Sequence, residues 1–366
     1  MTNDEKWMSR ALELAARAEG STSPNPLVGA VIVDSGNNVV GEGWHRRAGE
    51  AHAEVNALTA AGKGARGATA YVTLEPCCHH GRTGPCCEAL LAAGIRRVVI
   101  AVGDPNPKIA GNGIRRLREG GVEVTVGVLA KEAARQNEIF LHWITSGRPF
   151  VAMKYAMTLD GKIAAASGDS RWITGEAARG YVHRLRNMYD AILVGKNTVL
   201  ADNPELTCRL AGGHNPLRVI LDARLETPLW SKVLHCAEAK TLVVAGENAA
   251  ADGIAALQNS KGVEVVTLPL CAGRLDLDAL LAALSERKIT SLLVEGGGEV
   301  HGAFLDSGLV DRVYAFVAPR LVGGKHAVTP VSGRGCDRIC EGPVLHEVET
   351  RQLGSDFMIT GRILRE

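Results

Sequence analysis

The sequence carries almost no net charge and has no long apolar run, and each absence excludes a class of function. Lysine and arginine (41) balance aspartate and glutamate (40), which leaves a formal charge of +1. No overall field therefore attracts the chain to nucleic acid or to a membrane, and we expect neither as a partner. No stretch approaches the roughly 18 apolar residues of a membrane-spanning helix. The N-terminus, MTNDEKWMSR, lacks a signal-peptide core, so we expect a cytoplasmic protein.

The length and the periodic pattern predict two α/β domains. At 366 residues the chain is too long for one hydrophobic core. The segment SGRPF interrupts two periodic regions and is a plausible linker, so we place the domains at 1–146 and 147–366. In each half, strand patterns alternate with helix patterns, which favours a layered α/β architecture.

Several individual elements follow from this pattern. LVGAVIVD and NVVGEGWH flank a Ser-Gly-Asn turn and predict a β-hairpin. Helices are predicted over HAEVNALTAAG and near 87–93, and one long helix is predicted from about residue 130. In the second half the predicted strands are FVAMKYAMTLDGK, AILVG, LRVILD, TLVVAG, SLLVEGG and VYAFVAP.

The cysteines of the first half form an unusual group. Nine cysteines is an odd number, and four of them lie in two adjacent pairs, Cys77-Cys78 and Cys86-Cys87. In a reducing compartment such a group is typical of metal binding or catalysis before disulfides. His52 lies upstream at the start of a predicted helix. His52, Cys77 and Cys86 supply the three ligands that a catalytic zinc site needs, with a fourth position left for water.

Glu54, two residues after this histidine, is the predicted catalytic residue. Zinc lowers the pKa of its bound water to about 7, which provides a hydroxide nucleophile at neutral pH. Glu54 would carry protons from that water to a ring nitrogen and then to departing ammonia. His52 and Glu54 converge only at a helix entrance, because residues two apart in mid-helix point to different sides. Cys86 would gain thiolate stabilisation from the next helix N-terminus. The alternatives are a structural zinc site or buried free cysteines.

The spacing of the two cysteine ligands distinguishes this site from that of the nucleobase deaminases. Those enzymes carry P-C-x-x-C, whereas eight residues separate Cys77 from Cys86 here. The wider spacing occurs in a segment that closely resembles the deaminase half of the bifunctional riboflavin biosynthesis deaminase/reductase family. The segments that carry the resemblance are TLEPCCHHGRTGPC, PNPLVG, HAEV and DPNP. Cys78 and Gly84 depart from the residues common in that family, and neither departure moves a ligand.

The resemblance implies a fold, a substrate and its contacts. The fold is a cytidine-deaminase-like three-layer α/β/α domain. The substrate is 2,5-diamino-6-(ribosylamino)-4(3H)-pyrimidinone 5′-phosphate, which loses its 2-amino group. The implied substrate contacts are Asn25, His45, Arg82, Asp104 and Asn106. Arg82 is placed to meet the phosphate as a charge-assisted donor. DPNP is also a plain turn sequence, and His45 could instead be a strand-end histidine.

The second half lacks G-x-G-x-x-G after its first strand, so a Rossmann fingerprint is absent. It has instead the motif EGGGE at 295–299, between a predicted strand and a predicted helix. Glycines there let backbone N–H groups approach a phosphate, and the helix N-terminus favours its negative charge. Taken alone, the triple glycine could also be a flexible turn.

Further motifs in this half, MK, TLDGK, SRWIT and NTVLADNP, resemble the reductase half of the same family. The resemblance implies a dihydrofolate-reductase-like α/β domain that uses NADPH. The implied cofactor contacts are Ala156, Trp172, Thr198, Asp202, Gly297, Gly298, Glu299, Val300, His301, Gly302 and Ala303. The implied substrate contacts are Lys154, Ser170, Arg186, Leu206, Arg209 and Glu295.

The implied second reaction reduces the ribosyl chain of the deaminated product to give 5-amino-6-(ribitylamino)uracil 5′-phosphate. Lys154, Asp202 and Glu295 are unranked candidates for the proton donor. Trp172 could instead be a core aromatic, and Arg186 could lie on a solvated helix face. The family also implies a homo-oligomer, dimer or tetramer, formed through the reductase domain.

Two rival functions remain open from the sequence. One is a zinc deaminase acting on nucleic acid or a nucleoside, with a degenerate reductase-like domain. The near-neutral charge argues against nucleic acid, because a phosphate backbone demands a basic surface. The other rival is a zinc-stabilised binding module without catalytic activity.

Overall fold

A computed structural model of the protein describes residues 1–79, 84–106 and 109–364. The chain divides into two units, Met1–Gly147 and Arg148–Glu366, one residue beyond the predicted boundary. None of the described helices is long and apolar enough to cross a membrane.

The first unit is built on a five-stranded sheet in the order β2-β1-β3-β4-β5. β1 runs antiparallel to both β2 and β3, whereas β3, β4 and β5 are parallel. The predicted hairpin is therefore confirmed. The elements in chain order are α1 (Asn3–Ala16), β1 (Gly29–Val33), β2 (Val39–Trp44), α2 (Ala53–Ala61), β3 (Thr69–Leu74), α3 (Cys86–Ala92), β4 (Arg97–Val102), α4 (Asn112–Glu119), β5 (Glu123–Val126), α5 (Ala130–Gln136) and α6 (Glu138–Ser146).

Both faces of this sheet are covered, which confirms the predicted three layers. On β1, Ala30 and Ile32 pack with α2, α3 and α4, while Val31 and Val33 pack with α1 and α5. Every residue of β1 is buried, as expected for a strand with helices on both faces. The apolar runs in the sequence are therefore explained by two-sided burial.

The long helix predicted from residue 130 is wrong, because α5 and α6 are separate helices that meet at Asn137. The buried amide of Asn137 accepts a hydrogen bond from the Leu27 N–H and donates one to the Leu27 carbonyl, both at 2.8 Å. These two bonds satisfy the backbone N–H and carbonyl groups of Leu27. The backbone of Asn137 itself is not helical, with φ −106° and ψ 18°. A contact 110 residues away in sequence overrides the local helical pattern.

The second unit contains a nine-stranded sheet in the order β10-β9-β8-β7-β13-β6-β14-β16-β15. The strands from β10 to β14 are parallel to their neighbours, and the C-terminal hairpin, which was not predicted, adds two antiparallel strands. The elements are β6 (Phe150–Thr158), α7 (Glu176–Met188), β7 (Ala191–Gly195), α8 (Lys196–Asp202), β8 (Leu217–Leu221), α9 (Lys232–His235), β9 (Thr241–Gly246), α10 (Ala251–Gln258), β10 (Val263–Leu268), β11 (Leu270–Cys271), β12 (Arg274–Leu275), α11 (Leu277–Glu286), β13 (Ser291–Val294), α12 (Gly298–Asp306), β14 (Arg312–Ala318), β15 (Leu345–Leu353) and β16 (Asp356–Ile363).

The central strands of this sheet are buried on both faces. Leu193 of β7 packs in the core that includes α11 and α12, whereas Ile192 packs with α9 and α10. Because the central strands are parallel, their carboxyl ends meet at one edge, where α/β proteins bind ligands.

Candidate active sites

The structure brings the three predicted zinc ligands of the first unit together. His52 lies at the N-cap of α2, Cys77 follows β3, and Cys86 is the first residue of α3. Nδ1 of His52 lies 3.2 Å from Sγ of Cys86 and 3.5 Å from Sγ of Cys77. The Cys86 N–H also points at the Cys77 sulfur, at 3.4 Å. His52 and Cys86 therefore both lie at helix entrances, as the sequence predicts.

The chemistry of this donor set fits zinc. The potential ligand atoms of His52, Cys77 and Cys86 all lie within 4.8 Å of one another, and the described residues add no fourth histidine, cysteine or carboxylate to the group. Three donors of nitrogen and sulfur match a catalytic zinc site that keeps one position open. The neighbouring Cys87 thiol is instead engaged with the Cys77 carbonyl, at 2.8 Å.

The electrostatics of the cluster favour thiolate on Cys77. The hydrogen bond from Cys86 lowers the pKa of Cys77, and His52 acts in the same direction, whereas that hydrogen bond and burial raise the pKa of Cys86. Conversely, the hydrogen bond with Cys77 raises the pKa of His52 above its usual value. A thiolate is the form of cysteine that binds metal, so the cluster is already biased towards binding a cation.

Glu54 lies in the first turn of α2 beside this cluster, within hydrogen-bonding reach of the Cys86 sulfur. Its side chain is only 4% exposed. Burial raises the pKa of Glu54 to about 7, against an opposing hydrogen bond from its own backbone N–H. A carboxyl group with such a pKa can both accept and donate a proton near neutral pH.

Asn25 and His45 form a pair next to the zinc ligands. Nδ2 of Asn25 lies 3.1 Å from Nε2 of His45, and the His45 ring meets the His52 ring edge-on with centroids 5.5 Å apart. His45 is only 3% exposed, and burial lowers its pKa, which favours the neutral ring. His45 is therefore more than a strand-end histidine, because it is enclosed beside the metal cluster.

Residues 104–106 of the DPNP segment follow β4, and Pro107 lies outside the described residues. The buried Asp104 carboxylate accepts a hydrogen bond from the Asn106 N–H at 2.9 Å. Burial raises the pKa of Asp104. The remaining predicted contact, Arg82, lies outside the described residues.

One charged residue in this region was missed by the sequence reasoning. Glu75, just before Pro76-Cys77, is buried and accepts four main-chain hydrogen bonds, two of them from Asp104 and Gly111. The available signal was an acidic residue directly after the β-rich run ATAYVTL, because a charge at the end of a buried strand needs partners.

In the second unit, a cavity of about 1650 Å³ opens at the carboxyl ends of β6, β13, β7 and β8. Sixteen of the predicted reductase residues line it. They are Lys154, Ala156, Ser170, Trp172, Arg186, Thr198, Asp202, Leu206, Arg209, Glu295, Gly297, Gly298, Glu299, Val300, His301 and Ala303.

Three charged residues form a buried network in this cavity. Nε and Nη2 of Arg186 each lie 3.0 Å from a carboxylate oxygen of Glu295, and Nζ of Lys154 lies 3.5 Å from the same carboxylate. Burial alone would raise the pKa of Glu295, but the charges of Arg186 and Lys154 outweigh it and lower the pKa to about 2. The solvated-face alternative for Arg186 is therefore wrong.

The glycine motif is tightly packed, so the flexible-turn alternative is wrong. Gly297 caps α12, and its N–H donates to Oγ1 of Thr198 at 3.1 Å. A Cβ on Gly298 would lie 2.6 Å from the Thr329 carbonyl oxygen. The prediction that Gly302 contacts the cofactor is not supported, because Gly302 is missing from the described cavity wall. Its Cα faces the Ser332 backbone, and an added Cβ would lie 1.9 Å from the Ser332 carbonyl oxygen.

Trp172 and His301 differ in how they meet the cavity. Trp172 is 62% exposed, so the core-aromatic alternative is wrong, and the guanidinium of Arg179 lies 4.7 Å from its ring centroid. The His301 ring is buried, and its Nδ1 lies 2.8 Å from the Pro330 carbonyl oxygen. His301 therefore ties α12 to the loop at Pro330, whereas Trp172 offers an open aromatic face.

Comparison with known proteins covers both units. Residues 149–359 match the family model of the RibD C-terminal domain, and residues 1–102 match the cytidine and deoxycytidylate deaminase zinc-binding region. The riboflavin biosynthesis protein RibD of Actinobacillus pleuropneumoniae is 46% identical over 97% of this chain and 94% of its own. The chain belongs to the RibD family.

Solved structures of RibD proteins agree over nearly the whole chain. The deaminase/reductase of Thermotoga maritima superposes with a TM-score of 0.87 at 41% identity, and RibD of Acinetobacter baumannii with a TM-score of 0.87 at 39% identity; each match covers 99% of both chains. As a RibD, the protein is a bifunctional deaminase and reductase of riboflavin biosynthesis. Zinc serves the first unit and a nicotinamide cofactor the second. The predicted fold and main function are confirmed, and the two rival functions are not supported.

Proposed function

We propose that the first unit deaminates 2,5-diamino-6-(ribosylamino)-4(3H)-pyrimidinone 5′-phosphate and that the second unit reduces the product with NADPH. The final product is 5-amino-6-(ribitylamino)uracil 5′-phosphate. The observation that carries the proposal is the open cluster of His52, Cys77 and Cys86 beside the buried Glu54. The name of the Thermotoga maritima relative, a diaminohydroxyphosphoribosylaminopyrimidine deaminase and 5-amino-6-(5-phosphoribosylamino)uracil reductase, supports the same pair of reactions.

In the deaminase site, His52, Cys77 and Cys86 would hold zinc, which would lower the pKa of a water molecule and so supply a hydroxide nucleophile for the carbon bearing the amino group. Glu54 takes a proton from that water and delivers it to the ring nitrogen. It then takes the remaining proton from the hydroxyl group that was added to the ring carbon and passes it to the leaving amine, so that the amino group and water become ammonia and a carbonyl group. A carboxyl group whose pKa is about 7 suits both transfers.

Five residues position the pyrimidine in this proposal. The amide of Asn25 and the neutral ring of His45, already paired at 3.1 Å, offer a donor and an acceptor in fixed geometry. Asp104 and Asn106 contact the ribosyl part, and Arg82 binds the phosphate through its charge. Fixed polar groups of this kind orient the amine for attack without reorganising in the reaction.

In the reductase cavity, a bound nicotinamide cofactor would supply the hydride that reduces the imine carbon formed when the ribose ring opens, and a proton would be added at the imine nitrogen. The ion pairs of Glu295 hold Arg186 and Lys154 in place against the substrate. Ser170, Leu206 and Arg209 complete the substrate wall, with Arg209 suited to the phosphate by its planar fork of donors.

The cofactor in this proposal is NADPH. Gly297 and the N-terminus of α12, which line the cavity, would bind its pyrophosphate, and Trp172 would offer a ring face to an aromatic group. Two exposed arginines on the same cavity wall, Arg224 after β8 and Arg274 on β12, suit the extra 2′-phosphate that distinguishes NADPH from NADH.

A coupled assay tests the proposed function. When the purified chain is mixed with the diaminopyrimidine substrate and NADPH, ammonia should be released first. The absorbance of NADPH should then fall, and the amount of NADPH oxidised should equal the amount of ammonia released. Replacing NADPH by NADH should slow only the second signal. Absence of ammonia release from the diaminopyrimidine, or equal rates with NADH and NADPH, would contradict the corresponding half of the proposal.

We also propose a homo-oligomer formed through the second unit, in the cytoplasm. The edge strand β15 supports the first statement, because most of its side chains are exposed and its outer backbone groups can pair with another strand. Light scattering should then give at least twice the chain mass.

The nine free cysteines support the proposed cytoplasmic location, because free cysteines are typical of proteins in a reducing compartment.

A further inference from the structure

We propose that Glu75 is a positioning residue for pyrimidine binding in the first unit. Its carboxylate fixes the segment that begins at Asp104 against the strand end that carries the ligand Cys77. The inference rests on the proposed deaminase function and adds to it Glu75, which lies in the TLEPC segment but was given no role from the sequence.

The carboxylate of Glu75 is fully used by main-chain donors. Oε2 accepts the N–H groups of Asp104 at 3.2 Å and Gly111 at 3.0 Å. Oε1 accepts those of Gly113 at 3.0 Å and Ile114 at 3.2 Å. The side chain is 4% exposed. A carboxylate has about four acceptor sites, so these four bonds exhaust its capacity.

These bonds connect Asp104, which follows β4, with the start of α4. Asp104 holds Asn106 through its own side chain at 2.9 Å, so both proposed substrate contacts depend on where the Asp104 backbone lies. Gly113 approaches so closely that an added Cβ would lie 2.0 Å from the Pro76 carbonyl oxygen. The segment is therefore anchored directly to the residues that precede Cys77.

Glu75 itself is not one of the clustered metal-binding groups, and its oxygens face backbone N–H groups. It therefore acts on the reaction through Asp104 and Asn106. A substitution of Glu75 should weaken pyrimidine binding. The rate of the chemical step should change little, because that step depends on the zinc ligands and Glu54.

Glu75→Gln tests this inference because it preserves size and removes the charge. The NH2 group of the new amide faces two main-chain N–H groups and cannot accept hydrogen bonds from them. The charge-assisted bonds are lost, and these two buried N–H groups are left unsatisfied. We expect the KM for deamination to rise roughly 10- to 100-fold, with kcat changed less than about threefold and one zinc per chain retained.

Asp34→Asn is the matched control in the same unit. The Asp34 carboxylate also accepts a main-chain N–H, from Asn38 at 2.8 Å, but in the turn between β1 and β2. This variant should keep the wild-type KM. Reductase activity on deaminated substrate, measured in the same samples, should be unchanged in both variants.

Glu75→Asp keeps the charge but shortens the side chain, and it serves if the glutamine variant does not fold. Its KM should lie between those of wild type and Glu75→Gln. A folded, zinc-loaded Glu75 variant with wild-type KM would overturn the inference, and so would a folded Glu75 variant that has lost its zinc. If wild type itself released no ammonia, the proposed function would fail instead.

Discussion

Glu54→Gln is expected to reduce ammonia release by roughly 10²- to 10⁴-fold, the usual contribution of a positioned general acid–base group. The amide is nearly isosteric but cannot accept a proton from water and pass it to the pyrimidine. Because the three ligand side chains are untouched, zinc content should remain that of wild type. Ammonia release and metal analysis on the same preparation measure both expectations.

Reductase turnover of deaminated substrate should be unchanged in Glu54→Gln, because Glu54 belongs to the first unit. Glu119→Gln, which alters an exposed glutamate on α4, is a suitable control and should retain full deamination. Retention of full ammonia release by Glu54→Gln would show that another group moves the protons.

Glu295→Gln is expected to abolish reductase turnover and to destabilise the second unit by about 3–5 kcal/mol. Glu295 is the buried counter-charge of both Arg186 and Lys154, whose side chains are only 15% and 14% exposed. The change leaves two enclosed cations without their carboxylate, and the geometry of the substrate wall depends on that carboxylate. Urea unfolding measures the change in stability. Fluorescence monitors unfolding in wild type and in Glu295→Gln, and loss of reductase activity monitors it in wild type as well.

The deaminase of Glu295→Gln should remain active below the unfolding transition. As a control, Glu264→Gln removes one partner of an exposed ion pair with Arg287, and such pairs contribute about 1 kcal/mol or less. Equal stability of the Glu295 and Glu264 variants would contradict the interpretation of Glu295 as the centre of a buried charge network.

The zinc cluster could be predicted because local sequence determines where its residues stand. His52 and Cys86 lie at helix entrances, which the apolar periodicity after each residue already indicates. Cys77 follows a strand of clear β pattern. Three residue types with known metal preferences, at the ends of predictable elements, therefore defined the centre before the fold was known.

Contacts between distant parts of the chain could not be predicted in this way. Arg186 and Glu295 are 109 residues apart, and Lys154 is 141 residues from Glu295, so only the folded second unit brings them together. The same limit explains Asn137, whose partner Leu27 breaks a helix that local periodicity would continue. It also explains Gly302, whose helical position gave no sign that the Ser332 backbone covers it.

Zinc analysis of wild type and Cys86→Ser tests the central claim most directly, since the deaminase account depends on one imidazole and two sulfurs holding the metal. The account predicts one zinc per chain in wild type. In Cys86→Ser it predicts little zinc and no ammonia release, with reductase turnover retained. A Cys86→Ser protein that kept both its zinc and its deaminase activity would contradict the account.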